Sequence, residues 1–150
     1  MKDLPLKEQD LTLKDQDPHL KVKALDQVNA LITQARENCN VLVGVHIRHG
    51  DYRYFCDGVM YYETEEYVHV MTALEKQLPN QKVGFLVCSD EPQNPENFGA
   101  MEVTISKNSP IVDMYALGKC DYIFGPNSSF SHWASFYGSV PLHILDWKAA

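Results

Sequence analysis

The sequence predicts an α/β fold: a Rossmann-like parallel sheet with helices on both faces. Two observations predict it. The runs "VLVGVHI", "KVGFLVC" and "DYIFG" are short, apolar and rich in β-branched or aromatic residues. Such runs fit strands buried on both faces rather than strands with one wet side. Between them, apolar residues return every three or four positions, which is the spacing of one helix face. Strands alternating with helical crossovers imply a parallel sheet covered on each side.

The elements follow in order. Residues 1–19, "MKDLPLKEQDLTLKDQDPH", are charged and contain Pro5 and Pro18. They lack steady periodicity and are read as a polar leader or linker, with a Rossmann-like α/β domain over 20–150. Leu20, Ala24, Leu25, Val28, Leu31, Ile32 and Ala35 form the face of a first helix. "VLVGVHI" is the first strand, and "DYRYFCDGVMYY" a loop. Tyr67, Val70, Met71, Leu74 and Leu78 form a second helical stripe, ended by Pro79 and Asn80. "KVGFLVCSDEP" is a strand stopped by acid and proline, "QNPENFG" a loop and "AMEVTIS" a short strand. Ser109 and Pro110 make a helix start, with serine as the cap and proline in the first turn. Ile111, Met114 and Leu117 are the apolar face of that helix. "DYIFG" is the next strand. "PNSSFSHWASFYG" opens with capping residues and runs on as an aromatic helix, whose "FSHWASFY" stretch is expected in the core. "VPLHIL" is the last strand. There is no internal repeat.

Composition narrows the function. A chain of 150 residues, 45% apolar, suits one domain with a sizeable core. Thirteen basic against twenty acidic residues give a formal net charge of -7, which argues against broad binding to nucleic acid or an anionic membrane. An anionic ligand must therefore meet a local cluster of positive charge and backbone N–H groups. Cys39, Cys56, Cys88 and Cys120 form no CxxC pair and read as thiols in a reducing compartment. No apolar run approaches the ~20 residues of a membrane span, and the polar N-terminus is no signal peptide. A cytoplasmic chain is expected.

In parallel sheets, ligands bind outside the carboxyl ends of the strands, and the polar clusters fall there. The first strand delivers His46, Arg48, His49 and Asp51. The second delivers Ser89, Asp90 and Glu91. "DYIFG" delivers Asn127, Ser128 and Ser129. "VGVHIRHGDY" alone leaves three readings open: a metal site, an anion site or an ordinary polar strand end. Arg48 offers a planar fork that matches phosphate oxygens, or else a surface ion pair with Asp51. His46 and Arg48 alternate along the strand, so both can point the same way. Asn127 to Ser129 precede a helix, where hydroxyls and free N–H groups can cap it, cradle an anion, or do both. Asp90 suits the paired N–H donors of guanine or a sugar hydroxyl, or a plain turn. A metal site is disfavoured. Strand geometry sends neighbours of His46, His49 and Asp51 to opposite faces, and no second cluster has zinc-like spacing. The "DQD" at 15–17 lies in the leader, not after a strand, and no GxxxxGK[ST] phosphate loop occurs.

"HIRHGDY" resembles the HxRxGD signature of GDP-fucose-dependent fucosyltransferases, above all the α-1,2-fucosyltransferase family. "CSDEP" is similar to the small-residue-plus-Asp segment after that superfamily's next strand, and "DMYALGKCDYIFGPNSSFSHWASFYG" to its third shared stretch. The matches span about residues 41 to 145, in family order. The resemblance implies a two-domain GT-B enzyme, of which this chain is the donor-binding, C-terminal part. It implies transfer of L-fucose from GDP-fucose to a galactoside-type glycan by inverting displacement, with no metal or other cofactor. Arg48 would hold the donor diphosphate and His46 would line the same pocket, the two forming the candidate catalytic pair. Asp90 and Asp113 would lie at the guanosine end, Ser128 and Ser129 at the phosphates, and Asp51 would orient Arg48. His49 stands where the family places a second arginine and would be at most partly charged near neutral pH. Ser89 and Asn127 complete the expected donor site. An acceptor domain is expected before this part in a full-length protein. A longer, eukaryotic-type parent would belong to the Golgi lumen or its membrane. Two other classes remain: a non-catalytic GDP-sugar or nucleotide-binding domain, and a ligand-free α/β interaction domain.

Overall fold

Strand β1, Val41–Ile47, is the centre of the molecule, and its sequence explains why. From Leu42 to Ile47 every residue is buried, so it needs a strand on each edge and a helical layer on each face. The structure, a computed structural model, describes residues 18–54, 58 and 61–145. Helix α1 spans Pro18–Arg36, α2 Thr64–Gln77, β2 Val83–Ser89, β3 Glu102–Ile105 and α3 Pro110–Leu117. Then come β4 Tyr122–Pro126, α4 Ser129–Gly138 and β5 Leu142–Leu145. Short 3-10 turns occupy Gly50–Arg53 and Pro95–Phe98. The sheet order is β3-β2-β1-β4-β5, and every pairing is parallel. This is the predicted Rossmann-like architecture.

The alternation of β1 sorts its side chains between two cores. Leu42 joins Val28, Leu31, Leu86, Val112, Leu117 and Trp133 under α1, α3 and α4. Val43, Val45 and Ile47 join Tyr67, Met71, Phe85 and Phe124 under α2. His46 shares the parity of Leu42 and so faces α4.

Local signals cap the helices, at α3 and α4 where expected. The Ser109 hydroxyl accepts the Val112 N–H, and Pro110 opens α3. Glu63 and Glu66 form a reciprocal capping box at α2. Ser128 caps α4 by accepting the Ser131 N–H at 3.1 Å. At the opposite end of the sheet, Asp121 accepts the Leu42 N–H at 2.8 Å and pairs with Arg36 at 3.0 Å, tying α1, β1 and β4 together.

The aromatic helix differs in part from expectation. Trp133 and Ala134 are buried, but Phe136 is 75% exposed and Tyr137 47%. One helix lying on one face of a sheet can bury only one stripe, and these two rings fall outside it. The expected leader, with its DQD triplet, lies outside the described residues up to Asp17, as do residues 55–57, 59–60 and the terminal "DWKAA".

Candidate functional site

The topology creates a crevice. The chain runs from β1 outward to β2 and β3, then returns through α3 to place β4 on the other side of β1. The carboxyl ends of β1 and β4 are therefore neighbours at the point where strand order reverses, the usual ligand position in open α/β sheets. A cavity of about 240 Å³ opens there, lined by His46, Arg48, Ser89, Asp90, Pro110, Asp113 and Phe130.

Arg48 supplies the cavity's positive charge and is held from three sides. Its Nη2 donates to Asp51 Oδ1 at 3.2 Å, its Nε lies 3.7 Å from Asp90 Oδ2, and its guanidinium sits 4.7 Å from the Tyr52 ring centroid. The Tyr52 hydroxyl donates to the Asn127 carbonyl at 3.4 Å. Arg48 and the Asn127–Ser129 turn thus lie on the same side of the molecule, joined through one tyrosine.

His46 is 4% exposed. Its ring stacks on Phe130 with centroids 4.5 Å apart, and its Nδ1 lies 2.9 Å from Ser131 Oγ. Burial, and then the Arg48 charge, hold its pKa down to about 3, so the ring is an uncharged imidazole at neutral pH and a poor base. Asp113 is the deep carboxyl. The Ser106 hydroxyl donates to its Oδ1 and the Cys88 thiol also bonds it, yet burial outweighs both and pushes its pKa up to about 7. Asp90 accepts the His49 N–H at 2.9 Å. The Ser89 hydroxyl accepts from Glu91 N and Gln93 Nε2, which shapes the turn after β2.

A family model described as glycosyl transferase family 11 matches residues 4–147. The chain belongs to glycosyl transferase family 11. The stretches that resemble the α-1,2-fucosyltransferases all lie within that match. Among solved structures, the apo-form of POFUT1 matches with a TM-score of 0.64 at 13% identity. The match covers 82% of this chain and 46% of that one, and at such identity it shows the fold alone. The chain thus spans less than half the length of the POFUT1 structure. No curated protein sequence matches it.

In this family 11 chain, the cavity brings together His46, Arg48, Ser89, Asp90 and Asp113 of the expected residues. Asp51 stands at the rim, bonded to Arg48 and largely exposed. Four others are placed elsewhere. His49 points to the α2 side, where its Nε2 lies 2.9 Å from the Tyr62 carbonyl and its ring lies against Tyr61. It lines no part of the cavity, because its ring is held against Tyr61 and by the Tyr62 carbonyl. Asn127 is exposed and pairs with His132 at 2.8 Å. Ser128 is a buried cap, and Ser129 opens α4 without lining the cavity. Sequence reasoning missed Phe130, Ser131 and Ser106. The first two sit in a stretch that reads as core, and only the β3 turn brings Ser106 to Asp113. Among the described residues, no group of three His, Cys, Asp or Glu is placed to hold a metal. No described helix is long and apolar enough to cross a membrane.

Proposed function

We propose that this chain is the donor-binding part of a fucosyltransferase that takes L-fucose from GDP-fucose and passes it to a galactoside-type glycan. One observation carries the reading: Arg48 opens onto a cavity at the sheet's switch point, beside an uncharged His46 and two carboxyls. The motif resemblance and the family membership support it. In an inverting displacement the acceptor hydroxyl oxygen forms a bond to the anomeric carbon and loses its proton to water. The bond from that carbon to the diphosphate breaks, and GDP leaves with the electron pair. Charge builds on the diphosphate, and a fixed guanidinium meets it without reorganisation. Arg48 is pre-aimed by Asp51 and Asp90, which cuts the ordering cost of binding.

Asp90 and Asp113 take the guanosine end, where carboxyl oxygens accept from paired N–H groups. A second cavity of about 380 Å³ shares Ser89 and Asp90 and adds Gln93, Ser106, Lys107 and Asn108, which gives the nucleoside room. The N-terminus of α4 favours negative charge nearby. No metal is assigned to the reaction, and the acceptor site belongs to another domain.

Calorimetric titration of GDP tests the donor site. Arg48→Ala is expected to weaken GDP by roughly 10- to 100-fold, the worth of a charge-assisted hydrogen bond. Binding as tight as wild type in a folded variant refutes it. A chain that binds GDP but transfers no fucose from GDP-fucose to a galactoside is a non-catalytic binding domain.

A further inference from the structure

We infer that Ser131 is a positioning residue: its hydroxyl holds His46 in the tautomer with the proton on Nε2, so that an uncharged N–H donor faces the cavity. That the cavity's ligand is an anionic diphosphate rests on the donor-site reading. The tautomer does not.

Ser131 is completely buried and its Oγ has two polar neighbours, Ser128 Oγ at 3.1 Å and His46 Nδ1 at 2.9 Å. Ser128 Oγ accepts the backbone N–H of Ser131 as the cap of α4, and its own proton goes to Ser131 Oγ. The Ser131 proton then has one acceptor left, His46 Nδ1. A neutral imidazole that accepts at Nδ1 carries its proton on Nε2. In the reverse arrangement Nδ1–H donates to Ser131, Ser131 donates to Ser128, and the Ser128 proton has no acceptor among the described residues. Ser128 is 5% exposed, and a buried hydroxyl without a partner is costly. The capped helix end therefore sets the direction of the whole chain of bonds.

The rest of the site suits this assignment. His46 lines the cavity, and no group among the described residues bonds its Nε2. Ser131 closes the Nδ1 edge of the ring, which leaves the Nε2 edge for the cavity that the residue lines. Phe130 stacks on the ring and fixes its plane. Ser128, Phe130 and Ser131 all come from the first turn of α4 or its cap, so one local element orients the histidine through face and edge together. An Nε2–H beside Arg48 adds a hydrogen bond to an anion without adding charge. The other tautomer would aim a lone pair at it.

Nitrogen-15 NMR of the histidine-labelled chain reads the tautomer directly. In wild type, His46 is expected to show a protonated Nε2 and a bare Nδ1. Ser131→Ala is expected to spread the proton over both nitrogens, and Ser131→Thr, which keeps the hydroxyl, to restore the wild-type pattern. With GDP as probe, Ser131→Ala is expected to bind about tenfold more weakly, the loss of one hydrogen bond to a charged group. His46→Gln, which can present an amide N–H at the same point, is expected to retain binding that His46→Ala loses. A wild-type Nδ1–H tautomer overturns the inference, as does an unchanged Nε2–H form in Ser131→Ala. Should Ser131→Ala fail to fold, the wild-type spectrum and the glutamine–alanine comparison still decide. A wild-type chain that shows Nε2–H yet binds no GDP refutes the donor-site reading and leaves the hold of Ser131 on the tautomer standing.

Discussion

Replacing Asp113 by asparagine is expected to flatten the pH dependence of stability on the alkaline side. Burial raises the Asp113 pKa from 3.8 to about 7 in the folded chain. For a carboxyl raised on folding, the native state holds its proton longer than the unfolded state does. The unfolded state therefore binds fewer protons between the two values, and stability falls as pH rises through that window. The contribution is best below 3.8 and fully lost above about 7. At about 1.4 kcal/mol for each tenfold step, the ionised form costs the fold on the order of 4 kcal/mol at high pH. From about pH 5 to about pH 8 the wild type loses roughly 3 kcal/mol through this one group. With a urea slope of about 2 kcal/mol per molar, typical for this size, the midpoint moves down by about 1.5 M. Asp113→Asn keeps an oxygen to accept from Ser106 and cannot ionise, so its midpoint is expected to lack that share of the fall. Urea unfolding of both proteins across this range is the assay. Equal slopes would mean that Asp113 titrates like a solvated carboxyl, and the deep, dry site argued for it would be wrong.

Gly125→Ala would bring a Cβ to 2.9 Å from the His46 carbonyl oxygen and 3.0 Å from its Cβ. Since the obstacle is backbone, a loss of about 1–3 kcal/mol in thermal unfolding is expected, together with weakened GDP binding. Asp121→Ala is expected to cost more than Arg36→Ala. The ion pair is half exposed and worth at most about 1 kcal/mol, whereas losing Asp121 also strands the Leu42 N–H; chemical denaturation of the two variants ranks them. Burial pushes the Cys120 thiol up to about 12 and Cys88 well above its usual value. Mass-resolved alkylation of the native chain at neutral pH is expected to label Cys39, which is partly exposed, before either of them.

The resemblance and the site were legible to different depths. "HIRHGDY" announced a charged strand end, and the parity of β1 put His46 and Arg48 on one face as expected. His49 lies beyond the end of β1, and its neighbours Tyr61 and Tyr62 sit in and beside a loop with no periodic signal. Asn127 and Ser129 were legible as helix-opening residues, but a capping sequence does not say which of its members looks into a cavity.

What the sequence determined by itself was local. Apolar runs and helical spacings placed β1, β2, β4 and the helices, and Ser109–Pro110 and Ser128 marked helix starts, because caps and periodicity act between residues a few positions apart. Alternation of strand and helix then implied the parallel sheet and its ligand-binding edge. Tertiary structure decided everything that depends on contacts distant in sequence: β4 returning beside β1, Ser131 reaching His46 across 85 positions, and Asp113 being dry enough to hold a proton near neutral pH. Burial and hydrogen-bond direction belong to the packed chain, and no single segment carries them.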